Sequence, residues 1–137
     1  YATGFEVGTD YTRRAGCEIR GRGGRTLTDA WKDGVRTLHG MHSHGFPNLY
    51  VIGMAQAANL ISNVTHNLTE AAATAAAVIA HAERIGATEV EVTAEAEQAW
   101  VAQIEGATST IFGNPECTPG YYNNEGGPIG RRASAGD

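Results

Sequence analysis

The chain has 137 residues, the length of one domain and enough to bury roughly 68% of its unfolded surface. Its formal net charge is -5 at pH 7, with acidic residues concentrated between Glu83 and Glu105. A nucleic-acid-binding surface needs clustered Lys and Arg to neutralise phosphates, so this charge argues against a nucleic-acid partner.

Cysteine usage and hydropathy predict a soluble, cytoplasmic protein. Cys17 and Cys117 lie a hundred positions apart and make neither a metal pattern nor a disulfide framework, which favours a reducing compartment. The alanine-rich run at residues 71–82 is interrupted by Thr74 and His81, and it falls short of the roughly 20 apolar residues that cross a bilayer. No basic leader followed by an apolar stretch opens the chain, so no membrane partner is expected.

The first 25 residues are predicted to be mostly irregular. Tyr1-Ala2-Thr3-Gly4 combines an aromatic, two small residues and a glycine, which is typical of a strand end that passes close to another group. A weak strand is predicted around residues 17–19. The arginines between residues 13 and 25 are interpreted as a solvated loop beside an acidic partner surface.

The next stretch contains a short predicted helix and three histidines. Thr28 is predicted to cap a helical turn that ends at Gly34, with Trp31 anchored against a sheet. Structural zinc usually needs four ligands at defined spacings, and no Cys or carboxylate closely follows the histidines. We therefore predict polar loop histidines without a metal, at His39, His42 and His44.

Residues 46–86 form the stretch around which the chain is organised. A turn at residues 45–48 leads into a predicted buried strand at residues 48–53, and a loop of small residues then crosses to a long helix. Ser62 and Asn63 stand at the N-cap position, and Gly86 at the position after the C-cap. The helix is predicted to bury one apolar stripe, made of Val64, Leu68, Ala71, Ala72, Ala75, Val78, Ile79, Ala82 and Ile85.

A strand that ends in glycine and leads into a helix N-terminus is a common way to present backbone N–H groups to an anionic or carbonyl-bearing ligand. This arrangement predicts a cofactor site at the start of the long helix.

After Gly86 the alternation in residues 89–92 predicts a short strand or an extended connector. Thr93 is predicted to cap a second helix that runs to about Ile104, with Ala96, Trp100 and Ile104 on one face. Residues two apart on a helix point in different directions, so an acid/base pair of Glu95 and Glu97 is less plausible than surface charges that complement the helix dipole. Residues 114–127 are predicted to form an ordered loop in which Cys117 is inert.

Several separated segments resemble, in the right order, class B flavoprotein monooxygenases of the Baeyer–Villiger type. The resemblance extends over nearly the whole chain. The segments are Tyr1-Ala2-Thr3-Gly4-Phe5-Glu6, residues 27–40, Gly45-Phe46-Pro47-Asn48-Leu49-Tyr50, Ser62-Asn63, residues 92–97 with Trp100, and residues 117–126.

The resemblance implies an α/β fold, namely the C-terminal part of a flavoprotein with two Rossmann-like dinucleotide-binding domains. Residues 1–113 would belong to the FAD-binding domain and residues 114–137 to a truncated loop and tail. The implied enzyme uses FAD, NADPH and O2 to insert one oxygen atom next to a ketone carbonyl, through a C4a-peroxyflavin. The family's two glycine-rich fingerprints and its H-x-x-x-W-P element are absent from these residues. The chain is thus expected to be a fragment that is inactive without the missing N-terminal part of the enzyme.

The same resemblance implies site residues. Asn63 and Val64 would contact the flavin, and residues 2–4, namely Ala2, Thr3 and Gly4, would lie at the domain junction near both cofactors. Leu60, Ile61 and Ser62 match a loop that lines the substrate cavity in the family, although a plain crossing loop with a helix cap also explains Ser62 and Asn63. No catalytic residue and no metal ligand is predicted.

Two alternatives stay open. One is an N-hydroxylating or FMO-type flavin monooxygenase, which would share the Ala-Thr-Gly segment and the cofactor pair. The other is a small non-catalytic α/β interaction module, for which a start at Met and a closed core are expected. The chain instead starts at Tyr1 and ends in a Gly/Pro/Arg/Ser tail, so both ends look cut.

Overall fold

The computed structural model describes residues 16–53 and 63–106. This part contains three α-helices, which we name α1 (Leu27–Ala30), α2 (Val64–Arg84) and α3 (Ala94–Gly106), and one 3-10 turn at Arg22–Gly24. Backbone bridges in the same part are isolated ones, between Arg20 and Thr26 and between Leu38 and His42. None of its helices is long and apolar enough to span a membrane.

The predicted strands at residues 17–19 and 48–53 are wrong, because no strand forms within the described ranges. Asn48 adopts a left-handed backbone with φ of 60°, which interrupts an extended chain. Val51 is buried and donates its N–H to the carbonyl of Met41 at 2.8 Å, whereas the next side chain, Ile52, is 49% exposed. The segment is an irregular connection rather than a buried strand. At residues 89–92 the strand is wrong, and these residues form a connector that is neither helix nor strand.

The predicted cap of the first helix is also wrong, by two residues. Thr26 is the N-cap of α1, and its Oγ1 accepts a hydrogen bond from the N–H of Asp29 at 3.0 Å. The hydroxyl of Thr28 instead donates to a carboxylate oxygen of Glu18 at 2.9 Å. Thr26 and Thr28 are both threonines and could each cap a helix. Because the hydroxyl of Thr28 bonds Glu18, Thr26 is the residue that caps α1.

The boundaries of α2 are confirmed. Asn63 is the N-cap, and its Oδ1 accepts from the N–H of His66 at 3.2 Å. At the other end Gly86 has φ of 69°, the N–H of Gly86 bonds to the carbonyl of Glu83, and the N–H of Ala87 bonds to the carbonyl of Ala82. These two bonds form a Schellman motif, which satisfies carbonyls that the helix end would otherwise leave free.

The predicted burial of the α2 stripe is only partly confirmed. Ala75 and Ala82 are the buried side chains of the helix. Val64, Leu68 and Ile79 lie on the same face at helical spacing, but all three are exposed. The described residues therefore leave most of this apolar face uncovered.

The predicted cap of α3 is confirmed, but the prediction that Glu97 is a surface charge of this helix is wrong. Thr93 Oγ1 accepts from the N–H of Ala96 at 3.2 Å. Glu95 is exposed as predicted, and its pKa is lowered by hydrogen bonds from its own N–H and from the Thr93 hydroxyl. Glu97, however, is only 7% exposed and lies beside buried Val101. The buried face of α3 is centred one position beyond the predicted face, on Glu97 and Val101.

The hydrophobic core of the described part is small. Leu27, Ala30 and Phe46 are buried together, with Ile19, Trp31 and Leu49 packed against them. Trp31 is an anchor in this cluster rather than on a sheet, and its indole Nε1 donates to the carbonyl of Arg36 at 3.0 Å.

Candidate functional site

The candidate site is the N-terminus of α2, where the structure places Asn63 and Val64 as predicted. The Asn63 side chain engages the N–H of His66, and the Asn63 carbonyl engages the N–H of Asn67 at 3.0 Å. No acceptor among the described residues bonds to the N–H groups of Val64 and Thr65. Val64 is 39% exposed, and the positive end of the helix dipole, about half a unit charge, lies at these two donors.

The remaining predicted site residues lie outside the described residues. This applies to the junction residues Ala2, Thr3 and Gly4, and to the cavity residues Leu60, Ile61 and Ser62. The basic residues Arg13 and Arg14 and the loop at residues 114–127 lie outside them as well.

Hydrogen bonds from Asn48 connect the segment that follows the C-terminal end of α2 to a segment that lies before α2 in the chain. Asn48 donates its backbone N–H to the carbonyl of Val90 at 2.9 Å, and its Oδ1 accepts from the N–H of Val90 at 3.0 Å. Its Nδ2 donates to the carbonyl of Thr88 at 3.1 Å. One asparagine thus joins the segment that leads toward α2 to the segment that leaves it, and we call these three hydrogen bonds the Asn48 clamp.

A buried carboxylate joins the histidine-containing loop to α3. Glu97 Oε1 accepts from the N–H of His44 at 2.9 Å and lies 3.1 Å from the hydroxyl of Ser43. The Ser43 hydroxyl also lies 2.9 Å from the carbonyl of Arg36, so its single proton has two acceptors in reach. Arg36 Nε lies 3.7 Å from Glu97 Oε2, which places a positive charge beside the buried negative one.

A second carboxylate holds the next residue of the same loop. Glu91 Oε1 accepts from the N–H of Gly45 at 2.8 Å, and Glu91 Oε2 accepts from Arg22 Nε at 2.7 Å. Arg22 also bonds Glu89 at 2.7 Å. The bonds from Arg22 and Gly45 lower the pKa of Glu91, and the two carboxylates raise the pKa of Arg22. We call residues 16–53 together with residues 87–104 the braced unit.

The braced unit also depends on one close backbone contact. The N–H of Arg22 donates to the carbonyl of Gly45 at 2.7 Å. A Cβ on Gly21 would lie 2.1 Å from that carbonyl oxygen, so only glycine fits at position 21.

The three histidines make separate contacts instead of facing one another around a metal. His39 packs edge-on against Trp100, His42 packs edge-on against Tyr50, and His44 Nδ1 lies 3.0 Å from the carbonyl of Val92. Burial lowers the pKa of His42, with a smaller contribution from His39. Within the described ranges no group of three possible metal ligands comes together.

Sequence reasoning missed Arg22, Asn48, Glu91 and Glu97 as structural contacts. The alternation of Glu89, Val90, Glu91 and Val92 was the available signal, because a carboxylate on every second residue can place charges along one side of an extended segment. Nothing local marks Glu97, whose partner Ser43 is 54 positions away.

Several proteins similar to this chain are named Baeyer–Villiger monooxygenases. No family model matches the chain. A Baeyer–Villiger monooxygenase of Streptomyces coelicolor is 50% identical over 128 residues, which is 92% of this chain and 21% of that protein. Pentalenolactone D synthase of Streptomyces exfoliatus is 41% identical over 133 residues, which is 95% of this chain and 23% of that protein. The chain is homologous to one segment of proteins named Baeyer–Villiger monooxygenases.

Solved structures of Baeyer–Villiger monooxygenases share the local fold. A polycyclic ketone monooxygenase from Thermothelomyces thermophila matches with a TM-score of 0.66 and 36% identity over 85% of this chain and 19% of that chain. A steroid monooxygenase bound to NADP matches with a TM-score of 0.65 and 32% identity over 71% of this chain and 19% of that chain. A complex of OTEMO with FAD and NADP matches with a TM-score of 0.64 and 28% identity over 78% of this chain and 20% of that chain. The chain thus spans about a fifth of the length of these Baeyer–Villiger monooxygenases.

Proposed function

We propose that this chain is part of an FAD- and NADPH-dependent Baeyer–Villiger monooxygenase, which inserts one oxygen atom of O2 next to a ketone carbonyl to give an ester or lactone. The observation that supports this most strongly is the 50% identity to a Baeyer–Villiger monooxygenase over 92% of the chain. This similarity favours the proposal over an FMO-type or N-hydroxylating enzyme and over a non-catalytic interaction module.

The start of α2 fits a contact with the electron-accepting edge of a flavin. The N–H groups of Val64 and Thr65 are hydrogen-bond donors with no acceptor among the described residues, and the dipole of a 21-residue helix ends beside them. Asn63 caps the next amide, so it leaves those two donors available to a ligand. We assign to Val64 and Asn63 the binding and orientation of FAD, which would supply the oxygen-transfer chemistry when bound.

The other roles extend to residues beyond the described ranges. We propose that Ala2, Thr3 and Gly4 lie near FAD and NADP, and that Leu60, Ile61 and Ser62 line the ketone cavity. Residues 1–113 then belong to the FAD-binding domain of a Rossmann-like two-domain enzyme, and residues 114–137 to a loop and tail. Because the glycine-rich phosphate-binding fingerprints are not among these 137 residues, we expect the piece to be inactive unless the rest of the enzyme is present.

The decisive experiment removes one N–H from the flavin contact in the full-length protein that contains this segment. Proline is tolerated at the first helical position, and Asn63 already has the extended backbone, with ψ of 112°, that a following proline requires. Val64→Pro therefore deletes the N–H of residue 64 with little damage to α2. We expect FAD to bind roughly fivefold more weakly, the cost of about one net hydrogen bond.

Val64→Ala is the matched control, because it removes the same side chain and keeps the N–H. FAD affinity follows from flavin fluorescence during titration of the apoprotein, and lactone or ester formation from product analysis with cyclic and linear ketones. An FAD affinity that Val64→Pro leaves unchanged would refute the site assignment. A wild-type protein that binds no flavin and yields no ester or lactone would refute the proposed function itself.

A further inference from the structure

We propose that Asn48 is a positioning residue that sets the direction of α2 and thereby the position of the Val64 and Thr65 N–H groups. The inference rests on the proposed function, since it concerns the same flavin contact. It comes from the Asn48 clamp, a set of hydrogen bonds that the cofactor assignment leaves without a role.

The first step is that α2 is held near its C-terminal end. Its buried side chains, Ala75 and Ala82, both lie in the second half of the helix, where Ile79 is nevertheless exposed, and no side chain of the first half is buried. The Schellman motif at Gly86 then fixes how the chain leaves the helix, and Thr88 follows two residues later. The orientation of α2 within the described residues is therefore decided close to the Asn48 clamp.

The second step is the length of the helix. With 21 residues α2 is about 31 Å long, so a change of about 5° at one end moves the other end by roughly 3 Å. Displacements of about 1 Å at a reacting group can lower a rate by about a hundredfold. A small loosening at residues 48 and 88–90 is thus large enough to misplace the amides at residues 64 and 65.

The third step is that asparagine suits position 48 for two separate reasons. Its φ of 60° is left-handed, a region in which Asn is much more frequent than other residues with a Cβ. Its side-chain amide has both a donor and an acceptor, which here engage the carbonyl of Thr88 and the N–H of Val90. Glycine satisfies the first requirement alone, and aspartate satisfies the first and keeps the acceptor.

The test uses three full-length proteins: wild type, Asn48→Gly and Asn48→Asp. Asn48→Gly keeps the left-handed backbone and the backbone N–H while it removes both side-chain hydrogen bonds. We expect the dissociation constant of FAD to rise roughly fivefold in Asn48→Gly, as the loss of about one net hydrogen bond implies. In Asn48→Asp, which retains the bond to Val90, the dissociation constant should rise by a smaller factor. Gln103→Ala, which removes an exposed amide side chain from α3, is the matched control and should bind FAD like wild type.

Two further readouts separate positioning from general destabilisation. In the apoprotein, hydrogen exchange at the Val90 N–H should be slow in wild type and at least severalfold faster in Asn48→Gly. In the flavin-loaded enzyme, the reduction potential of the flavin should shift in Asn48→Gly, because fewer N–H donors then face the flavin edge. A global loss of stability without misplacement of the amides would leave the potential of the folded, loaded fraction unchanged.

The outcomes distinguish this inference from the proposed function. Faster Val90 exchange together with weaker FAD binding and a shifted potential in Asn48→Gly supports the clamp. A wild-type enzyme that binds FAD, combined with an Asn48→Gly variant of equal affinity and potential, overturns the inference and leaves the proposed function intact. Rapid exchange at Val90 in wild type overturns it as well, since the clamp would then be open.

Discussion

The braced unit and α2 are held in different ways. In the braced unit, carboxylate and amide side chains bond to backbone groups more than 40 positions away, as Glu97 does to His44 and Asn48 does to Val90. In α2 the caps are local, and burial is limited to Ala75 and Ala82. The difference indicates that the braced unit specifies its own arrangement, whereas α2 has an apolar face that the described residues do not cover.

The largest expected effect on the free energy of unfolding comes from truncating one leucine in each of the two regions. Leu27 is 1% exposed at the centre of the core, so Leu27→Ala should lower the free energy of unfolding by about 2–5 kcal/mol. Leu68 on α2 is 36% exposed, and Leu68→Ala should change the free energy of unfolding of the 137-residue chain by no more than about 0.5 kcal/mol. Denaturant titration followed by circular dichroism measures both values.

The same pair of variants also tests whether the braced unit and α2 differ in packing. If α2 packs against other parts of the full-length enzyme, Leu68→Ala should be clearly more destabilising there than in the 137-residue chain. Equal losses for Leu27→Ala and Leu68→Ala in the 137-residue chain would show that the two regions do not differ in packing.

An intermediate effect is expected at Glu97. Glu97→Ala leaves the part-buried N–H of His44 without its acceptor and removes the carboxylate 3.7 Å from Arg36, which should cost about 2–3 kcal/mol of unfolding free energy. Glu83→Ala, which removes an exposed carboxylate near the end of α2, should cost no more than about 0.5 kcal/mol. Thermal unfolding of the two variants side by side provides the measurement, and a tolerated Glu97→Ala would contradict the bracing role.

The smallest effect concerns the pH dependence of the Arg22 and Glu91 pair. The folded pKa of Glu91 is lowered, so its contribution to stability is present above its ordinary pKa and is lost as the pH falls through the folded pKa. Arg22→Gln should return the Glu91 pKa toward its ordinary value and weaken the dependence of stability on pH below about 5. Carboxyl-carbon NMR titration of Glu91 in both proteins measures this directly, and identical titration curves would rule out the pairing.

The two long helices and the similarity to Baeyer–Villiger monooxygenases were both evident from the sequence. Asn63, Gly86 and Thr93 act on amides and carbonyls within a few residues, so their capping roles can be read from local spacing. The motifs that resemble Baeyer–Villiger monooxygenases are likewise short segments, and several of the similar proteins carry that name.

Only the tertiary structure decided what Asn48 and Glu97 do. Asn48 looked like the first residue of a strand, and Glu97 looked like an exposed helix charge. Their partners are 42 and 54 positions away, and no local pattern identifies which distant backbone group a polar side chain will reach. The same limit applies to the α2 stripe, because periodicity predicts an apolar face and cannot tell whether a partner covers it. Asn48 and Glu97 thus act through long-range hydrogen bonds, while the ends of α2 are set by local ones.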